Sequence, residues 1–274
     1  MKRLPNLDAL RFFLSVYVIL IHTSQTSYNL GLPNLYDTIG NHKGNQAIAM
    51  FFVLSGFLII SIIYRAKHKG TFSIKNFYMR RILKIFPLYY LIILFGFIYY
   101  HIILPKFGID FPIEYELPEA IFLTTFFLSN VFVRAYDTGG VFEVLWSIAI
   151  EEQFYIIIAP LLFFLRKEFI FKILLILTTA YFIVFHFDSM YLLRKYKFEF
   201  FFIFSGGLMA ILEYHKKLEF LKRSKWISLL SVVGVLIYFF TTILDFQNLA
   251  LYNFMTCILF SWFIHSISIN NFNF

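Results

Sequence analysis

Polar and ionisable side chains form a line within the first apolar stretch of the chain, Leu7–Thr23. Arg11 and His22 are eleven residues apart, about three turns of an α-helix, so they project from nearly the same side with roughly 16 Å between them along the axis. Asp8 and Ser15 fall on that side too. An ionisable group within a membrane span costs roughly 3 kcal/mol or more and indicates a functional site by default.

The chemistry available to this pair is proton or acyl transfer. A neutral imidazole near pH 7 is suited to removing a proton from a hydroxyl nucleophile, and His22 could also accept an acyl group. A guanidinium in a medium of low dielectric constant, such as Arg11, suits a developing oxyanion or a phosphate. The structural alternative pairs Arg11 with Asp8 and has His22 capping the outer end of the helix.

A second group of candidates lies in the basic segment Phe77–Tyr90. Arg80, Arg81 and Lys84 are placed on a short helical stretch, and Pro87 is expected to open the next span. The functional interpretation is a cradle for the phosphates of a nucleotide-bearing donor. The alternative is a set of charges that only fixes membrane topology.

A third group lies at the mouth of the span that begins near Leu145. Glu151 and Glu152 are adjacent, so they point about 100° apart on a helix, and Ser147 lies one turn before Glu151 on the same face. Two carboxylates at this depth are costly unless they have partners. They are either structural partners of Arg groups on neighbouring helices or groups that orient His22 or guide an acceptor hydroxyl.

The composition is that of a polytopic membrane protein. The 274 residues are 60% hydrophobic and 15% charged, whereas a soluble domain has about 25% charged residues. We predict an all-α fold, a transmembrane helix bundle forming one domain over residues 1–274. The net charge of +8 is interpreted as membrane topology and contact with anionic lipid rather than nucleic-acid binding. The single Cys257 excludes a thiolate metal cluster, and no metal site is predicted.

Eight apolar stretches have a length suited to crossing the bilayer. They are 7–23, 47–64, 87–104, 145–165, 173–187, 198–212, 227–244 and 249–267. A further stretch, Leu117–Val133, is interpreted as interfacial or re-entrant because it contains several polar residues. Within the second span, Ser55-Gly56 is predicted to permit a close approach between helices.

Lysine and arginine residues orient the predicted bundle. They concentrate before the first span, in 65–84, after the fourth span and in 216–225, which all fall on one side if eight helices cross. By the positive-inside rule that side is cytoplasmic, so both ends of the chain are predicted to be cytoplasmic, in a bacterial inner membrane. Arg194, Lys195 and Lys197 disagree with this orientation.

Four segments together resemble the acyltransferase 3 family of integral membrane acyltransferases. They are LDALRFFLSVYVILIH with its R-x10-H, FFVLSGFLI, RRILKIFPLYY and LWSIAIEEQFYIIIAP, which occur in the order and at the intervals typical of that family. The motifs cover roughly residues 5–165. The resemblance implies a fold of about ten transmembrane helices and transfer of acyl groups, commonly acetyl from acetyl-CoA, to hydroxyls of carbohydrates, lipids or small metabolites.

The resemblance also implies roles for particular residues. His22 and Arg11 correspond to the catalytic pair, Glu152 to a functional carboxylate and Arg81 to a contact with the acyl-CoA donor. Where the family often has Arg-x-x-Arg, this chain has Lys84 in the second position, which keeps the charge but cannot grip a phosphate with two hydrogen bonds. The expected partners are acyl-CoA, membrane lipid and a hydroxyl-bearing acceptor such as a glycan or glycolipid.

Two alternatives to an active acyltransferase remain open at this point. A transporter or flippase could use the charged residues within the membrane as a proton relay or substrate path, although no repeated halves are visible. The family's last spans usually carry an I-S-Y-x-x-Y-L-x-H-like stretch, which does not occur before Phe274. With eight visible spans rather than ten, the chain is expected to lack C-terminal spans and could be an inactive remnant.

Overall fold

The computed structural model describes residues 4–29, 31–33, 44–220 and 225–269, and these contain helices and no strands. The longer helices are α1 Pro5–Asn29, α2 Gly44–His68, α3 Ile74–Ile98, α4 Leu117–Thr125, α5 Ser129–Ala135, α6 Leu145–Phe164, α7 Ile170–His186, α8 Phe200–Tyr214, α9 Lys225–Phe240 and α10 Leu249–Ile269. Short helical turns extend α3 to Lys106, precede α6 and follow α7. The predicted all-α class is confirmed.

Five helices in the described part of the chain are long and apolar enough to cross a membrane. They are Pro5–Tyr28, Gly44–His68, Ile74–Lys106, Gly140–Phe164 and Leu249–Ser268. The pair Ile170–His186 and Asp188–Lys195, bent by 92°, would make a sixth span, while α8 and α9 are apolar but shorter. A helix therefore lies at each of the eight predicted stretches, and the uncertain stretch Leu117–Val133 forms the two short helices α4 and α5.

The third predicted span begins earlier than expected. Pro87 lies inside α3, which starts at Ile74 and is capped by the Ser73 hydroxyl accepting from the Asn76 N–H at 3.3 Å. The prediction that Pro87 opens this span is wrong, because the loss of one backbone hydrogen bond is tolerated within a long membrane helix. The basic residues that precede Pro87 consequently belong to the same helix as the apolar run that follows it.

The helices form two compact units. Unit 1 comprises the described residues of Met1–Arg65, Glu168–His186 and Phe200–Phe274, and unit 2 those of Ala66–Lys167 and Phe187–Glu199. In unit 1, α8 packs against α7 and α10, and α10 also packs against α9 and α1. The prediction of a single membrane domain over residues 1–274 stays a prediction.

Two glycines allow α2 and α8 to touch backbone to backbone. A Cβ added to Gly56 would lie 1.8 Å from the carbonyl oxygen of Ile203, and one added to Gly206 would lie 1.8 Å from that of Val53. No side chain fits at such a separation, so the helices could pack this closely only with glycine at both positions. The role predicted for Ser55-Gly56 in helix packing is thereby confirmed.

We expect Gly206→Ala to destabilise the protein severely. The added methyl group must separate two backbones, and overpacking of this kind costs roughly 3 kcal/mol or more. The measurement is the thermal midpoint in detergent, with Gly140→Ala as the matched control because a Cβ there meets nothing within 4 Å. Equal midpoints for the two variants would contradict the close approach.

Unit 2 is tied together by buried polar contacts between its helices. The Tyr89 hydroxyl lies 2.9 Å from the carbonyl oxygen of Thr124, to which it donates, and 2.7 Å from the Ser129 hydroxyl. The Gln153 amide donates to Asn130 Oδ1 at 2.9 Å, and the Asn130 amide donates to the carbonyl oxygen of Tyr196 at 2.8 Å. The hydrogen bond from Gln153 to Asn130 joins α6, which carries the two predicted glutamates, to α5.

A lysine in the last turn of α2 contacts the C-terminal end of α6. Lys67 donates to the carbonyl oxygens of Leu162, Phe163 and Leu165, with 2.7 Å to that of Phe163. The last carbonyls of a helix have no partner within the helix, and a cation there also interacts favourably with the helix dipole. One of the basic residues assigned to topology therefore has a structural role.

Lys67→Met is expected to lower the stability of the protein by about 2 kcal/mol, since hydrogen bonds to a charged donor contribute more than neutral ones. The measurement is the unfolding midpoint in detergent. Lys69→Met, which removes an exposed lysine two residues away, is the control and should leave the midpoint unchanged. A loss of the same size in both variants would show that Lys67 acts only through net charge.

Candidate active site

The first helix of unit 1 carries the predicted catalytic pair without interruption. Because α1 is continuous from Pro5 to Asn29, Arg11 and His22 keep the spacing of three turns and lie on nearly the same face. Arg11 Nη1 lies 3.7 Å from Asp8 Oδ1, and the two side chains are 40% and 43% exposed. The alternative pairing of Arg11 with Asp8 is thus present, and it leaves the guanidinium partly open. Ser15 is exposed.

His22 lies half-buried near the end of α1. Its imidazole makes no hydrogen bond to any residue in the described part of the chain, while its backbone carbonyl accepts from the Thr26 hydroxyl at 2.9 Å. The neighbouring Ile21 side chain is close to the start of α2, since a Cβ on Gly44 would meet it at 3.5 Å. The imidazole is therefore carried by an ordered helix, and neither ring nitrogen is hydrogen-bonded to a described residue.

Contacts within unit 1 define which helix ends lie together. Asn6 donates to the carbonyl oxygen of Ile267, which joins the start of α1 to the end of α10. His265 on α10 lies 3.2 Å from Glu213 at the end of α8, and His215 just after α8 lies 2.8 Å from the Tyr64 hydroxyl near the end of α2. His22 lies toward the other end of α1, away from the helix ends that these contacts bring together.

In unit 2, the buried Glu152 and the half-buried Arg81 are close enough to interact electrostatically, although no ion pair joins them in the described part of the chain. The Glu152 side chain is only 4% exposed, and the Arg81 charge stabilises its carboxylate while Glu151 opposes it. Glu152 Oε1 and Arg81 Nε are buried, and neither has a hydrogen-bond partner among the described residues. A buried polar atom without a partner costs about 1–3 kcal/mol, so both groups have capacity for a ligand or water.

Tyr155 connects Arg81 with the second glutamate. Its hydroxyl donates to Glu151 Oε2 at 2.7 Å, and the Arg81 guanidinium lies 5.4 Å from the centre of its ring and 5.7 Å from that of Phe77. The planar guanidinium is thereby held over aromatic faces. Ser147, one turn before Glu151, is half-buried. Tyr155 was not identified from the sequence, although the i,i+4 spacing from Glu151 on one helix could have indicated it.

The predicted phosphate cradle is only partly assembled. Arg80 and Lys84 are exposed on α3, whereas Arg81 is half-buried against the aromatic rings. The helix therefore points its basic side chains in different directions, with one anchored cation and two exposed ones. Exposed Arg and Lys side chains can reach phosphates in the aqueous phase.

Sequence reasoning missed a buried pair in unit 1. His265 is fully buried with its Nδ1 facing Glu213 Oε2, and the same carboxylate oxygen accepts from the Ser268 hydroxyl at 2.9 Å. His265 lies in the predicted span 249–267, where nothing in the sequence indicated a partner. The two residues lie on different helices, so no local spacing could have indicated their contact.

The comparisons with known proteins identify the chain's relatives. A family model described as an acyltransferase domain, acyltransferase 3, matches residues 4–274. The chain belongs to this family. The predicted family and the assignment as an O-acyltransferase are both confirmed by this match and by relatives named as O-acetyltransferases.

Three relatives illustrate the range of the family. An uncharacterized protein of Haemophilus influenzae is 31% identical over 253 residues, which cover 81% of this chain and 98% of that protein. The peptidoglycan O-acetyltransferase OatA of Listeria monocytogenes is 31% identical over 57% of this chain and 24% of its own length. The putative peptidoglycan O-acetyltransferase YrhL of Bacillus subtilis is 30% identical over 57% and 23%. The match therefore covers about a quarter of the length of each of these last two proteins. No solved structure matches the chain.

Proposed function

We propose that this acyltransferase moves an acetyl group from acetyl-CoA, or an acyl group from a related thioester, to a hydroxyl of a glycan or glycolipid. The observation that carries the proposal is the unbroken α1, which presents an open, half-buried imidazole at His22 on the same face as Arg11. The peptidoglycan named for two relatives makes a carbohydrate the favoured acceptor class.

In the proposed reaction, His22 accepts the proton of the acceptor hydroxyl as its oxygen attacks the thioester carbonyl. The carbon–sulfur bond breaks, the new ester forms, and the thiolate takes up a proton and leaves as the free thiol. A general base in this role typically contributes a factor of about 10² to 10⁴ in rate. No metal is required by this sequence of steps.

Arg11 has a different part in this scheme from the one implied by the family resemblance. It lies roughly 16 Å from His22 along the axis of α1, which is too far for both side chains to contact one carbonyl group. We assign Arg11, with Asp8 as its partner, to a supporting electrostatic role at the start of α1. His22 alone acts on the acceptor hydroxyl.

The donor site is assigned to Arg81, with Arg80 and Lys84 as exposed contacts to the phosphates. The rings of Tyr155 and Phe77 orient the guanidinium of Arg81. Glu152 is a positioning residue, since its buried carboxylate balances the charge of Arg81. Two polar atoms without partners, one on each residue, leave room for a further contact to the donor.

The proposed setting is the cytoplasmic membrane, with the start of α1 on the cytoplasmic side. In unit 1 the helix ends that meet there carry Arg65, Lys216 and Lys217, as the positive-inside rule requires. The disagreeing basic residues of unit 2 have local partners: Arg194 donates to the carbonyl oxygen of Phe187, and Lys197 pairs with Glu199. His22 then faces the outer side, where a surface glycan would be met.

The experiment uses membranes from cells that make the chain and from matched cells that do not, incubated with acetyl-CoA labelled in the acetyl group. We expect label in envelope carbohydrate, released as acetate by mild alkali because the product is an ester. Labelling that does not depend on the chain would reject the proposed function.

A further inference from the structure

A hydroxyl on α3 is hydrogen-bonded to the backbone in the interior of α6. The half-buried Tyr78 donates to the carbonyl oxygen of Ile156 at 3.0 Å, and the carbonyl oxygen of Tyr155 lies 3.3 Å from the same hydroxyl. A carbonyl inside a helix normally accepts from the N–H four residues later. A side-chain donor at this point indicates that the usual bond is missing.

The missing donor is identified by the sequence of α6. Four residues after Ile156 the chain has Pro160, which lies inside the helix. Proline has no N–H, so the carbonyl of Ile156 cannot receive the hydrogen bond that another residue at position 160 would donate. The helix nevertheless continues to Phe164. The Tyr78 hydroxyl thus supplies from a neighbouring helix the donor that a carbonyl in apolar surroundings requires.

This hydroxyl contact lies next to the residues that surround Arg81. Arg81 is three residues after Tyr78 on α3, and Glu152 is four residues before Ile156 on α6. Each of these spacings returns to nearly the same face of a helix. The Arg81 guanidinium lies 5.4 Å from the centre of the Tyr155 ring, and its charge acts on the Glu152 carboxylate. The hydroxyl contact is therefore about one turn away from both contacts of Arg81.

The same contact opposes a bend of α6 at its proline. A Cβ on Gly96 of α3 would lie 2.6 Å from the ring of Phe142, so the end of α3 packs closely just before α6 begins. At the other end of α6, Lys67 donates to the carbonyl oxygen of Phe163 at 2.7 Å. Helices bend at proline, and a bend between these two anchored ends would move the turn with Glu152 relative to α3.

We propose that Tyr78 is a positioning residue for the donor site. Its hydroxyl replaces the hydrogen bond that Pro160 cannot donate, and this keeps the turn of α6 with Tyr155 and Glu152 beside the Arg81 guanidinium. Tyr78 acts on acetyl-CoA through Arg81 and not by direct contact. This inference rests on the proposed function, because it takes Arg81 as the contact to acetyl-CoA.

The test uses the full chain purified in detergent, with acetyl-CoA as donor, N-acetylglucosamine as acceptor and thiol release as the measured rate. The variants are Tyr78→Phe, Pro160→Ala and the double variant, in which the N–H at position 160 can donate to the carbonyl of Ile156. Tyr90→Phe is the matched control, since it removes from the same helix a hydroxyl that donates to another backbone carbonyl, that of Thr125, at 3.0 Å.

We expect Tyr78→Phe to raise KM for acetyl-CoA about tenfold and to leave kcat within about twofold of wild type, as for a hydrogen bond that supports binding and not the chemical step. Pro160→Ala and the double variant should both have a KM close to that of wild type, because the backbone then provides its own donor. Tyr90→Phe should leave KM unchanged.

Three results would overturn the positioning role. They are an unchanged KM or a loss confined to kcat in Tyr78→Phe, a rise of equal size when Tyr78→Phe is added to Pro160→Ala, and the same rise in Tyr90→Phe. If Tyr78→Phe alone does not fold, the double variant decides: it must fold and keep the KM of Pro160→Ala, and failure in either respect overturns the role. Failure of the proposed function is a separate result, in which Arg81→Met leaves KM for acetyl-CoA unchanged, and the inference would then be rejected with it.

Discussion

His22→Ala is expected to reduce acetyl transfer by about 10³-fold, because the acceptor hydroxyl then has no base to take its proton. The imidazole is half-buried on an unbroken helix and makes no hydrogen bond to a described residue, so its removal should not disturb the packing of unit 1. The measurement is the initial rate of labelled ester formation in membranes with saturating acetyl-CoA, corrected for the amount of protein.

Two further variants make this prediction specific. His22→Gln keeps a polar side chain of similar size and should lose as much activity as His22→Ala, since an amide does not act as a base near neutral pH. His68→Ala, at the end of α2, should retain the wild-type rate. Activity of His22→Gln close to wild type would assign His22 to hydrogen bonding and remove the proposed chemistry.

Arg81→Met is expected to raise KM for acetyl-CoA by about 100-fold, which corresponds to the roughly 3 kcal/mol of a charge-assisted contact to phosphate. Arg81→Lys should recover only part of this loss, because an ammonium group cannot lie flat on the Tyr155 ring or bind a phosphate with two hydrogen bonds. The measurement is the dependence of initial rate on acetyl-CoA concentration. Arg80→Met, which removes an exposed side chain of the same helix, is the control and should raise KM by less than tenfold.

The coupling between Arg81 and Glu152 tests the positioning role of the carboxylate. Arg81→Met leaves Glu152 buried without its compensating charge, which is costly. Adding Glu152→Gln removes that charge, so the double variant should be more stable than Arg81→Met alone and no worse in KM. Additive losses of stability and of KM would show that the two side chains act independently.

Much of the fold could be predicted from the sequence because apolar runs in a membrane must form helices. The positions of α1, α2 and α10 follow directly from runs such as 47–64 and 249–267. The start of α3 could not be predicted in this way. Pro87 suggested a boundary, but the basic segment before it continues the helix, and the Ser73 cap at its true start is a weak signal in a single sequence.

The candidate site was predictable only where its residues share a helix. Arg11 and His22 lie on one face of α1, and their spacing revealed them. The contact of Tyr78 with Ile156 joins residues 78 positions apart, and that of Glu213 with His265 joins residues 52 apart. Such contacts arise from tertiary packing, which apolar periodicity does not encode at the level of individual pairs.

The central claim is that His22 supports acyl transfer from a thioester in the absence of any ion gradient. The most direct measurement is thiol release from acetyl-CoA by the purified full chain in liposomes of equal ionic composition inside and outside, with N-acetylglucosamine as acceptor. We expect release that requires the chain and falls to the background rate in His22→Ala at equal protein. Release that is the same in wild type and His22→Ala, or that occurs only when a gradient is imposed, would contradict it.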